Sequence, residues 1–195
     1  DAAVVTNIAD DHLGEFGIQT LEALAEAKLL VARAVKPEGA VVLNADDPIL
    51  ARAASTVRSP VIWFSLDAEN PRVAEHLRAG GRAAVAERGC LVLAEGSRRT
   101  VVARLGDVPM TLGGAARHNV ANALAAIGAA SALGVEPAAM GAALRRFATG
   151  PADNPGRANV YRIGGVVVVL DYAHNPHGMA AMASSVASLK MTKAG

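Results

Sequence analysis

Asp10, Asp11 and His12 stand in a row in TNIADDHLGEFG, directly after a short apolar run. Carboxylates beside an imidazole suit a divalent cation. A solvated acidic turn capping the next helix explains the same residues. Lys28 adds to the question. It falls on the stripe Leu21, Leu24, Val31, Val35, spaced as one face of a helix. Its ammonium is therefore expected to point inward, where a lysine needs a partner or a changed charge state. Three outcomes are open. Lys28 can snorkel to water or pair with Asp11 or Glu15. It can also be carbamylated, becoming an anionic oxygen ligand for a hard cation beside His12.

A second set lies in LGGAARHNVANALAAIGAA, where Gly113 and Gly114 precede Arg117, His118, Asn119 and Asn122. Asn119 and Asn122 share a helix face, and two amides facing one way can read a flat ligand edge such as a purine. Asn is also an ordinary residue at a helix start. A third feature, NPGR, ends in Arg157, placed to clamp a phosphate if two domains close on it, or to lie on the surface. The fourth is GGVVVVLDYAHNPHG. There Asp171 ends an apolar strand and offers a carboxylate to ribose hydroxyls, followed by His174, Asn175 and Pro176. The sequence has no G-x-x-x-x-G-K-[ST] loop and no G-x-G-x-x-G after a strand.

The elements that must position these groups alternate at first. Residues 2–8 read as a strand, 21–35 as a helix, 40–44 as a strand, 47–54 as a helix and 61–65 as a strand. This alternation predicts a parallel sheet with covering helices. From 82 to 112 the ERG and EGSRR turns predict short antiparallel strands. Helices follow at 116–133 and 137–147. TGPADNPG, residues 149–156, is the linker. Beyond it come NVYRI, a Gly-Gly hairpin turn, the apolar strand, expected to be buried, and a helix from about Pro176.

Composition narrows the function. The core is built from Ala, Val and Leu, since only 3% of residues are aromatic while 52% are hydrophobic. The net charge of +1 supplies no basic field for a nucleic acid or an anionic membrane. The single cysteine, Cys90, excludes an internal disulfide and agrees with a reducing cytoplasm. No apolar run reaches membrane-spanning length. The first residues carry no basic leader-like segment. They also lack a starting Met, and the last residues, SLKMTKAG, stop within a predicted helix. The expectation is therefore a piece of something longer.

Taken in order, TNI..DHLG, the helical lysine, VLNADDP, HNVANALAA, NPGR and DYAHNP resemble the Mur ligase superfamily. The resemblance spans essentially the whole chain. It implies an α/β fold: residues 1–150 as the central ATP-binding domain, without its N-terminal phosphate loop, and 151–195 as the truncated beginning of the C-terminal domain. The central part would hold a parallel sheet and a small antiparallel sheet. It also implies ATP-dependent amide-bond formation through an acyl phosphate, with ATP and Mg²⁺. DHLGEFGIQTLEALAEAK, VPMTLGG and NPGRANVYRIGGVVVVLDYAHNPHG resemble most the branch that joins the α-amine of arginine to aspartate side chains of a poly-aspartate backbone. ARHNVANA is closer to the peptidoglycan and folate branches, which keeps those acceptors as the alternative. A non-catalytic Mur-like binding module is the third reading.

Carried over residue by residue, the resemblance makes His12 a Mg²⁺ ligand and Lys28 a carbamylated ligand beside it, both catalytic together with Arg157. Asn119 and Asn122 would lie by the adenine, Arg157 on the phosphates and Asp171 on the ribose. His174 and Asn175 would line the same pocket. The implied partners are an amino acid and a polypeptide acceptor, with no nucleic acid and no membrane. A homo-oligomer of the full-length protein stays open, its place is the cytoplasm, and the chain by itself is expected to be inactive.

Overall fold

The computed structural model describes residues 1–10, 13–14, 16–148, 150–152 and 154–191. His12, with Asp11 and Glu15, lies outside the described residues.

Short runs of β-branched and apolar residues set the strands. Six of them form one sheet in sequence order. These are β1 (Ala2–Val5), β2 (Ala40–Asn44), β3 (Val61–Ser65), β4 (Arg82–Glu87), β5 (Cys90–Glu95) and β6 (Arg98–Arg104). β1 to β4 run parallel, and β5 and β6 return antiparallel. The antiparallel strands thus extend the parallel sheet instead of forming a sheet of their own. β2 is apolar on both sides because both faces are covered. Val41 and Leu43 pack with Leu24, Leu50, Val73 and Leu77. These four sit on α1 (Leu21–Lys28), α2 (Pro48–Ala53) and α3 (Pro71–Arg78). Ala40 and Val42 pack on the other face against Val120, Leu124, Ile127 and Met140. Those belong to α4 (Arg117–Ala132) and α5 (Pro137–Arg146). α4 lies so close to the sheet that a Cβ on Gly128 would stand 2.7 Å from Val42 Cγ1.

Two sequence expectations change in the first half. The strand over 2–8 stops at Val5, although Ile8 is buried. The helix over 21–35 stays α-helical only to Lys28 and tightens to a 3₁₀ segment over Leu29–Ala34. Three residues per turn then replace 3.6. Leu29, Ala32 and Val35 share the inner face, and Val31, expected inside, is 48% exposed. α3 was not expected from the sequence at all. Its start is nonetheless well formed: Asn70 caps the N–H of Arg72, and Pro71 opens the helix.

Beyond the linker, β7 (Asn159–Ile163) and β8 (Val166–Leu170) form a two-stranded antiparallel sheet. Gly164 and Gly165, at φ +56° and +80°, make the two-residue turn that the sequence predicts. β8 was expected to be a buried strand. It is not: Val166, Val168 and Leu170 are 61%, 41% and 52% exposed. A two-stranded ribbon presents two faces, and no third strand joins it among the described residues. α6 (Pro176–Met191) follows and meets α4.

Candidate functional site

Two polar clusters lie near the carboxyl ends of strands, where ligands gather in open α/β sheets. The first ties together the ends of β1, β2 and β3. Asn44 Nδ2 donates to the Thr6 carbonyl at 3.0 Å, and Asn44 Oδ1 accepts the Asp46 N–H. Asp46 accepts from Ser65 Oγ, the Leu66 N–H and Asn70 Nδ2. Asp47 is buried. Its Oδ1 caps α2 through the Ile49 and Leu50 N–H groups, and its Oδ2 accepts the Ile8 N–H at 2.6 Å. NADDP thus works as a knot at the sheet edge. Lys28 joins this region: half-buried, it donates from Nζ to the Asn7 carbonyl at 3.3 Å. Among the described residues no group of three or more His, Cys, Asp or Glu could hold a metal.

The second cluster surrounds a cavity of about 420 Å³. It gathers Asn119, Asn122, Arg157, Asp171, His174 and Asn175, which the sequence distributes over three separate stretches. Lys28 is not in its lining. The cavity wall also takes Met110, His118, Phe147, Asn154, His177 and Met182, none of them among the candidates chosen from the sequence. His118 was within reach, since it directly precedes Asn119. Phe147, at the end of α5, carried no signal of its own.

Each side chain is held by its neighbours. α4 begins after Ala116 with no side-chain cap, so neither asparagine is there for capping. Asn119 is buried, and its Nδ2 donates to the Met110 carbonyl at 2.8 Å. Its Oδ1 accepts from Asn122 Nδ2 at 3.5 Å. Asn119 thus spends one donor and one acceptor within the protein while still lining the cavity, and exposed Asn122 presents its amide edge beside it. Asp171 accepts the Ala158 N–H on Oδ2 and the Ala173 N–H on Oδ1, both at 2.8 Å. Asn175 Oδ1 accepts the Gly178 N–H at 2.7 Å and so caps α6. His174 Nδ1 lies 3.3 Å from the Tyr172 carbonyl oxygen.

His118 links α4 to α6. Ser185 Oγ donates to the Ala181 carbonyl at 2.8 Å and lies 3.5 Å from His118 Nδ1. Burial pushes the His118 imidazole below its ordinary pKa, the Asp171 carboxylate opposes that shift, and His177 adds to it. Among the described residues, the wall therefore combines one anionic group, one cationic group and several amide and imidazole edges. That set suits a ligand with a flat polar ring and a charged tail.

The Mur ligase middle domain family matches residues 1–130. Cyanophycin synthetase from Synechocystis sp. is 41% identical over 186 residues, which are 95% of this chain and 21% of that protein. Cyanophycin synthetase from Geminocystis herdmanii is 38% identical over 195 residues, 100% of this chain and 22% of its own length. The chain thus spans about a fifth of these relatives. Among solved structures, MurF from Acinetobacter baumannii superposes with a TM-score of 0.69 at 25% identity, over 96% of this chain and 37% of that one.

Proposed function

Since the chain belongs to the Mur ligase middle domain family, we propose that it supplies part of the nucleotide site of an ATP-dependent amide ligase, with arginine and a poly-aspartate backbone as substrates. The observation that carries this reading is the cavity that collects residues from α4, the linker and the end of β8. Its volume of about 420 Å³ accommodates the nucleoside part of ATP. Asn122 reads the base edge, Asp171 meets the ribose and Arg157 faces the phosphates. His174 and Asn175 shape the wall. Residues 1–150 act as the central ATP-binding domain and 151–195 as the beginning of the next.

The reaction supported is the transfer of the γ-phosphoryl group of ATP to an aspartate side chain, forming an acyl phosphate and ADP. The arginine α-amine then attacks that carbonyl carbon, and phosphate leaves as the amide forms. Arg157 offsets the charge of the transferring group. Mg²⁺ would supply further neutralisation at His12 and a carbamylated Lys28. A carbamate on Lys28 keeps an N–H for the Asn7 carbonyl, so the observed contact fits it. No helix among the described residues is long and apolar enough to cross a membrane, and we place the enzyme in the cytoplasm. The 195 residues contain no G-x-x-x-x-G-K-[ST] phosphate loop, and we expect the chain by itself to be inactive.

The test is ADP release by the full-length protein with ATP, arginine and a poly-aspartate primer. Arginine-dependent release supports the reading. Release driven instead by a peptidoglycan precursor or a folyl substrate moves the protein to another branch, and no release with any of them leaves a binding module. Arginine-dependent release by the isolated chain refutes its inactivity.

A further inference from the structure

The segment that carries Arg157 is fixed at nearly every backbone position, by the side chain of Asn159, which does not line the cavity, by that of Asp171, which does, and by the Tyr172 N–H. Asn159 is 1% exposed. Its Oδ1 accepts the Gly156 N–H at 2.7 Å, and its Nδ2 donates to the Asn154 carbonyl at 2.9 Å and the Arg157 carbonyl at 3.4 Å. From the other side, the Tyr172 N–H donates to the Gly156 carbonyl at 2.8 Å, and Asp171 holds the Ala158 N–H. The backbone of Arg157 is thus tied both at its carbonyl and at the following N–H. Its guanidinium lies over the Tyr172 ring, 5.3 Å from the centroid. Tyr172 in turn packs against His174, with ring centroids 5.1 Å apart.

A long, exposed arginine loses much rotamer freedom when it grips an anion, and a side chain already held in place loses less. We propose that Asn159 and Tyr172 are positioning residues that hold Arg157 ready for the anionic part of the ligand in the cavity. Asn159 sets the backbone from which Arg157 projects, and Tyr172 sets the direction of its guanidinium. Neither touches the ligand. The inference rests on the nucleotide reading of the cavity.

Affinities of the protein for ATP and for adenosine separate the roles, because adenosine lacks the charge that Arg157 addresses. Arg157→Ala should weaken ATP and leave adenosine unchanged. Asn159→Ala should do the same, by about tenfold for ATP. Tyr172→Leu, at an exposed position safe for folding, should weaken ATP by about fivefold. In an Arg157→Ala background neither change should weaken ATP further. Normal ATP affinity in Tyr172→Leu, or equal losses for ATP and adenosine, overturns the positioning role. So does an added loss in the Arg157→Ala background. Normal ATP affinity in Arg157→Ala itself removes the phosphate role of Arg157 and this inference with it. If only the positioning fails, Arg157→Ala still weakens ATP.

Discussion

Asp171 Oδ2 accepts the backbone N–H of Ala158 at 2.8 Å, which fastens the end of β8 to the residue that leads into β7. Its Oδ1 is meanwhile taken by Ala173. A carboxylate oxygen accepts more than one hydrogen bond, so this bracing leaves room for a ribose. The same residue can therefore build the wall and face the ligand.

Asp171→Ala should weaken adenosine and ATP alike, by about tenfold or more, and lower stability by a smaller margin. Isothermal titration alongside urea unfolding gives both numbers. Unchanged adenosine affinity would remove the ribose role and leave Asp171 as a brace only.

Lys28→Ala should cut ADP release by the full-length protein by about 100-fold if the lysine carries an anionic group beside a metal. Mass spectrometry of the native protein, seeking the carbamate, is the direct companion. Near-normal turnover would make Lys28 a prop for the Asn7 carbonyl alone.

His118 predicts a pH dependence in the packing of α6 on α4. Burial lowers its folded pKa below the ordinary 6.5, so between those two values the unfolded chain binds more protons than the folded one. Its contribution is complete above about pH 6.5 and is lost as pH falls toward the folded value. Asp171 faces the imidazole and narrows that window, whereas His177 widens it. His76 on α3, also lowered by burial, adds a slope of the same sign. Thermal unfolding from pH 8 to 5 should therefore show a loss that His118→Gln reduces without abolishing. An identical slope in the variant would contradict the assignment.

Asp47→Ala should be costly for the sheet edge. It removes the cap of α2, worth about 1 kcal/mol, and leaves the buried Ile8 N–H without its acceptor, roughly 1–3 kcal/mol more. Asp47→Asn, which keeps an acceptor oxygen, should be milder. Equal unfolding midpoints for wild type and Asp47→Ala would show that the bond to Ile8 carries little.

Strands β2 and β3 were legible to the residue, because uninterrupted apolar runs bounded by turn residues have few other solutions. α4 and α5 were legible within a residue or two at their ends. α1 was overextended, since the stripe through Val31 assumed one helical period to Val35, whereas the chain changes pitch after Lys28. α3 was missed because only Val73 and Leu77 of PRVAEHLR are buried, too few to mark a periodic face. β8 misled in the opposite direction: four valines predict burial, but burial depends on a neighbour the local sequence does not name. In the site, DYAHNP, NPGR and HNVAN met in one cavity, while the partners that fix them were illegible. Nothing local tells that Asn159 reaches back to Asn154, or that Asn119 turns to Met110.

Ala158 sits at φ +50° and is 1% exposed. A left-handed alanine costs the fold about 1 kcal/mol that glycine would not. That position sets two effects against each other. Ala158→Gly would relieve that strain but strip a buried methyl group and free the backbone beside Arg157, so ATP should bind less tightly with little change in melting temperature.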